Sequence, residues 1–195
     1  MVELELLKSA LSSVVNMDVE AFNRSSPYWK LKAYKKNELY NTYHNVCKHL
    51  GFIIQGVFRI YRANENTSEE KNMLFFSKGQ FVASYTSFLS QKPCDYYTAS
   101  VDKSLILYIH VDNLNKLYRE SHQWERFGRY IAETAFHQVM ANTEGFLFKS
   151  AEERYIDMMD QHPDIFRTVP LYHLASYLGI QAPSLSRIRK RMVGK

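Results

Sequence analysis

Four cations in five positions near the C-terminus, Arg187, Arg189, Lys190 and Arg191, are the side chains with the most directed chemistry in this chain. A guanidinium forks onto two acceptors at once, such as guanine O6 and N7, and an ammonium meets a phosphate as a point charge. Their surroundings are one-sided. No Asp or Glu follows Asp164, while Arg167, Arg187, Arg189, Lys190, Arg191 and Lys195 add six positive charges. The first 164 residues therefore carry −1 of the net +5. Such an asymmetry points to a polyanionic partner. A solvated basic tail has the same composition, so the residues upstream must decide.

They form a pattern. Leu171–Ile188 reads as helix, tight turn, helix. Leu174 and Leu178 face inward one turn apart, and Ala175 is small where a second helix must cross. Gly179 supplies the positive φ that ends the first helix. Ile180, Leu185 and Ile188 anchor the second, and Pro183 fits only its first turn, which places the start near Ala182. Seven positions in register match a helix-turn-helix that presents its second helix to the major groove. Gln181, Ala182, Ser184, Ser186 and Arg187 would lie toward the bases, with Arg187 reading guanine. Arg189, Lys190 and Arg191 would hold phosphates.

Other chemistry is thinner. His44, Cys47 and His49 are close in sequence, but on a strand residues 44 and 47 or 49 point to opposite faces, so no metal is expected there. Cys94 is either a thiol sensor or a small buried filler. Two cysteines exclude a four-thiolate iron–sulfur cluster and a disulfide scaffold. The chain has no Gly-x-Ser-x-Gly elbow, phosphate-binding loop or His-Glu-x-x-His, so no catalytic residue is assigned. A cupin-like β-barrel metal enzyme with an appended helical domain is the alternative. It would need a His-x-His followed by Glu, which the strand region lacks.

The elements that position the cations follow from periodicity. Leu4, Leu7, Leu11, Val14 and Val15 predict one or two helices over residues 1–25. From about Tyr28 to Ile109 short β-rich runs alternate with turn signals, such as the polar Asn64–Ser68, which predicts a barrel or roll. Asp112 reads as the N-cap of a helical stretch to about residue 148. There Phe127, Ile131, Ala135 and Val139 form one apolar row, with Ala132, Phe136 and Met140 beside it. An arc that wide needs a second surface, either another copy of the chain or a second domain of the same one. Ser150 with Glu153 is a capping box that opens the next helix, ending near His162. The expected class is α+β: a roll at 1–111, a long helical region at 112–149 and a helix-turn-helix domain at 150–195. At 195 residues and 46% hydrophobic the chain can bury such cores. It has no run of the roughly 18 apolar residues a membrane span needs, and acids where a signal peptide wants bases. A soluble cytoplasmic protein without membrane partners is expected.

Together these residues resemble the Crp/Fnr family of bacterial transcription regulators. The likeness rests on the order roll, long helix, helix-turn-helix. It rests also on Gly79-Gln80-Phe81-Val82 and Ser87-Phe88-Leu89 at the family's central roll motif, and on Leu185–Lys190 (LSRIRK). Ala151–Tyr155, His162-Pro163 and Ala175–Ile180 are similar to a branch common in Bacteroidetes. The resemblance implies a homodimer joined by the long helix through Phe127, Ile131, Ala135 and Val139. It also implies a jelly-roll-like double-stranded β-helix that binds an effector near Phe81, Val82, Ala83, Ser84, Tyr85, Pro93 and Cys94. Double-stranded DNA and RNA polymerase are the partners of such a regulator. Two departures matter. Ala182 and Pro183 stand where better-known members carry DNA-contacting Arg and Glu. The roll has Ala83-Ser84-Tyr85 and Pro93-Cys94 where the family's cyclic-nucleotide site has a carboxylate and a guanidinium, and Lys92 is a poor substitute. Cyclic AMP is therefore not expected, no other cofactor is assigned, and little or no strand-forming wing is expected beyond the recognition helix.

Overall fold

The computed structural model describes residues 2–64, 66–67 and 69–193, and the side chains up to Met192. The expected turn at Asn64–Ser68 is thus only partly covered, and Lys195 and any wing beyond Val193 lie outside the described residues.

Eight antiparallel strands form two facing sheets. The first runs β1 (Lys30–Tyr34), β8 (Ser104–His110), β3 (His49–Gln55), β6 (Phe81–Val82). The second runs β2 (Leu39–Asn41), β7 (Tyr97–Ser100), β4 (Phe58–Ala63), β5 (Glu70–Phe76). Tyr34, Ile53, Phe58, Val82 and Ile106 fill the space between the sheets. Alternation along each strand sends the next residues outward; the first sheet's outer face is apolar, the second's sets Arg59 and Asn72 beside Phe75, and both are covered.

The first sheet's outer face is covered by helices. α1 (Val2–Val15) and α2 (Val19–Ser25) contribute Leu7, Leu11, Val15 and Phe22, and the short α3 (Tyr85–Ser90) contributes Phe88. α4 (Val111–Glu120) adds Leu114 and Leu117, and α5 (His122–Phe148) adds Trp124, Phe127 and Ile131. The expected single helix from Asp112 is two. His110, not Asp112, is the cap, with its Nδ1 accepting from the Asp112 amide at 3.2 Å. The chain then breaks at Ser121, whose φ of −150° and ψ of 122° are extended. The break lets α4 fold back on α5, so that Leu117 and Trp124 reach one core. Gly128 permits the approach, since a Cβ there would sit 2.9 Å from the Tyr118 ring.

The second sheet's outer face receives the C-terminal helices α6 (Ala151–Gln161), α7 (Pro163–Thr168), α8 (Leu171–Tyr177) and α9 (Ala182–Val193). Val57, Phe75 and Val101 of the roll share one apolar cluster with Tyr155, Met158, Ile165, Leu174, Leu178 and Leu185. The Ser150 capping box forms as the sequence predicts: the Glu153 amide donates to Ser150 Oγ at 3.3 Å, and the Ser150 amide donates to the Glu153 carboxylate at 2.7 Å. The Ser150 hydroxyl, which donates to the same carboxylate at 2.8 Å, and then the Ser150 amide hold the Glu153 carboxyl below its usual range. The segment boundaries near 111 and 150 fall at helix starts, yet both apolar cores run across them.

Candidate nucleic-acid interface

The turn between α8 and α9 is closed by two backbone bonds. The Ile180 amide donates to the Ala175 carbonyl at 3.0 Å, and the Gly179 amide donates to the Ser176 carbonyl at 3.2 Å. This is the paired arrangement of a Schellman stop, which needs a left-handed residue just after the helix. Gly179 provides it at φ +69°. On the far side, the Gln181 carbonyl accepts from the Ser184 and Leu185 amides, and α9 starts with Pro183 in its first turn. Leu174, Ala175, Leu178, Leu185 and Ile188 are buried beneath the two helices, as their spacing predicts. Ile180 is half-buried at the turn and packs at the edge of the cluster.

With its apolar side spent, α9 shows its polar side to solvent. Gln181, Arg187, Arg189, Lys190 and Arg191 are exposed, while Ala182, Ser184 and Ser186 are half-buried along the same helix. Arg187 donates to Ser184 Oγ at 3.2 Å. Arg191 is tied to Glu152 of α6 at 2.7 Å, which no sequence pattern showed. Arg189 and Lys190 make no ion pair among the described residues.

The long helix divides along its length rather than around it. Phe127 is fully buried and Ile131 is 8% exposed, both inside the roll's own helical cover, so the dimer contact expected of them is corrected. Ala135 is half-buried. Beyond it α5 stands clear: Phe136 is 63% exposed, and Val139, Met140 and Leu147 are exposed as well. Ala132, Phe136, Val139, Thr143 and Phe146 recur at alternating steps of four and three, the spacing of a helix–helix seam. The end of α5 also braces the helix-turn-helix. Asn142 accepts from the Tyr177 hydroxyl at 3.0 Å, Phe146 lies against Gly179, and Arg154 donates to the Leu178 carbonyl at 2.7 Å.

A cleft of about 910 Å³ separates the roll from α5, lined by Phe81, Ala83, Ser84, Tyr85, Pro93 and Cys94 on one side and Ala135 and Val139 on the other. Val82 is not part of it; its side chain points into the roll and is fully buried. Asp95, one residue beyond the Pro93-Cys94 stretch, lines the cleft beside Lys92, both exposed. No arginine lines it among the described residues. Cys94 is buried, its thiol donating to the Tyr96 carbonyl at 3.1 Å. His44 lies in a loop at φ +63° rather than on a strand, and no cluster of three metal-ligating side chains occurs among the described residues.

The sequence matches no family model and no curated protein. Solved structures do match. FixK2 from Bradyrhizobium japonicum superposes with a TM-score of 0.75 over 85% of each chain, at 13% identity. A putative transcriptional regulator of the Crp/Fnr family from Eubacterium rectale gives 0.69 over 92% of this chain and 85% of that one, at 14%. The fold is that of the Crp/Fnr regulators. The c-di-GMP-responsive global regulator CLP from Xanthomonas campestris shares it at 0.67 and 14% identity, covering 91% of this chain and 92% of its own. Among the described residues no helix is long and apolar enough to cross a membrane.

Proposed function

We propose that this protein is a DNA-binding transcription regulator that acts as a homodimer and is not an enzyme. The observation that carries the reading is α9: a helix anchored by Leu185 and Ile188, braced by a Schellman turn, presenting Gln181, Arg187, Arg189 and Lys190 outward. The free half of α5 supports the dimer. A second copy laid along Phe136, Val139, Met140 and Leu147 would bury a seam that a lone chain leaves in water. Two α9 helices related by that axis would enter successive major grooves about 34 Å apart and read a pseudo-palindrome. RNA polymerase is the downstream partner such a regulator implies.

The cleft is the effector site in this reading. Its apolar lining, with charge confined to Lys92 and Asp95, suits an uncharged, largely apolar molecule and not a cyclic nucleotide, whose phosphate would want an arginine. Titration calorimetry with cyclic AMP should show no heat of binding at micromolar protein; micromolar affinity would refute this assignment.

Sedimentation equilibrium and fluorescence anisotropy on mixed-sequence duplex test the main reading together. It requires a dimer whose nonspecific affinity falls steeply with salt. A monomer, or binding indifferent to salt, would refute it.

A further inference from the structure

The helix-turn-helix docks on the roll through a buried polar cluster as well as apolar packing. Arg59 on β4 has a side chain 6% exposed, and His173 on α8 one 5% exposed. Arg59 Nη1 donates to Glu70 Oε2 at 2.6 Å, to Asn72 Oδ1 at 3.1 Å and to His173 Nδ1 at 3.2 Å. Asn72 Nδ2 donates to the same imidazole nitrogen at 3.2 Å and to the His173 carbonyl at 3.4 Å. One residue turn further along α8, Ser176 Oγ accepts from the Asn72 amide at 3.0 Å and donates to the Glu70 carbonyl at 2.8 Å. Those are main-chain groups on the open edge of β5, the outermost strand of its sheet. Behind, the guanidinium lies over the Tyr61 ring at 3.7 Å, and Tyr61 stacks on Tyr97.

Apolar contact is non-directional and lets two surfaces slide. A guanidinium and an imidazole withdrawn from water are favourable only in one geometry, so such a cluster fixes register more than it adds stability. Both donors aim at Nδ1, which must therefore accept, leaving the proton on Nε2. We propose that Arg59, Glu70, Asn72, His173 and Ser176 form a positioning latch that holds the DNA-reading helix at one place on the roll. In the dimer, the latch sets the spacing at which two half-sites are read. This rests on the DNA reading above.

Hydrogen exchange on the full chain, with duplex binding across a series of half-site spacings, tests it on Arg59→Met and on the milder Ser176→Ala. Exchange within 70–76 and 171–177 should rise about tenfold or more in Arg59→Met, while β3 and β8 keep wild-type protection. The wild type should prefer one spacing by about tenfold, and the variants should bind a single half-site within about twofold of it yet lose that preference. Unchanged exchange in both variants, exchange raised equally in β3 and β8, or spacing preference intact despite faster exchange would each overturn the latch as a positioning device. A wild type that binds no duplex would sink the DNA reading, and the exchange result would still decide whether the latch exists.

Discussion

Arg187 and Lys190 are separated by one turn of α9 and differ in what they can do. Arg187 is exposed near the start of the helix and has only Ser184 Oγ beside it, so its fork is free to turn to a base edge. Arg187→Ala should cost about 1–3 kcal/mol at the preferred site and little on random DNA, measured by competition anisotropy. Equal losses on both would make it a phosphate contact. Lys190, exposed and without an ion pair, should act as a point charge, and Lys190→Ala should lower the slope of log affinity against log salt by about one. An unchanged slope would remove it from the contact set. Arg191 shows the limit of reading charge from sequence: it sits in the same basic run but is paired with Glu152, thirty-nine residues earlier. The polar latch was equally hidden, because Arg59, Asn72 and His173 meet only after two segments fold together, and no local spacing marks them.

Elements were more legible than contacts. The helix-turn-helix could be read residue by residue because each position carries a local demand: a left-handed glycine, a first-turn proline, leucines one turn apart. The capping box at Ser150 followed for the same reason, while residues 1–25, expected as one or two helices, form two. The break at Ser121 did not, since nothing in Leu117–Trp124 forbids a continuous helix, and only tertiary burial of both residues forces the fold-back. The same core explains the split of α5. Its first half covers the roll, and its second half, from Ala132 onward, is mostly exposed and is the face the proposed dimer would use. Phe136→Glu, on the free half, should shift the protein to monomer at micromolar concentration without lowering its melting temperature by more than a few degrees. A dimer unaffected in sedimentation equilibrium would place the interface elsewhere. The cleft was half legible: Phe81, Ala83, Ser84, Tyr85, Pro93 and Cys94 do line it and Val82 does not, α5 closes it from the other side, and Asp95 enters from beyond the expected stretch.

At the scale of the molecule, the roll and the C-terminal helices act as one body because both apolar burial and the latch join them. The latch carries a pH dependence. Burial, then the Arg59 guanidinium, hold His173 down at about 4, against the smaller upward pull of Glu70; Lys36 adds to the depression. Docked His173 therefore refuses a proton that the undocked residue binds below its ordinary 6.5. Docking is at full strength above that value, weakens as pH falls from about 6.5 toward 4, and levels off below. The total is about 3 kcal/mol at most. His173→Asn keeps an acceptor facing Arg59 without a titrating group, so its thermal stability should fall less than the wild type's between pH 7 and 5. Parallel curves would show that His173 does not sense pH.

The proposed function comes down to one arrangement, in which a pair of α9 helices would read duplex DNA symmetrically. Selection of bound sequences from a random duplex pool addresses it most directly. The account predicts an inverted repeat whose halves are centred about one helical turn apart. An enriched motif without two-fold symmetry, or no enrichment at all, would contradict it.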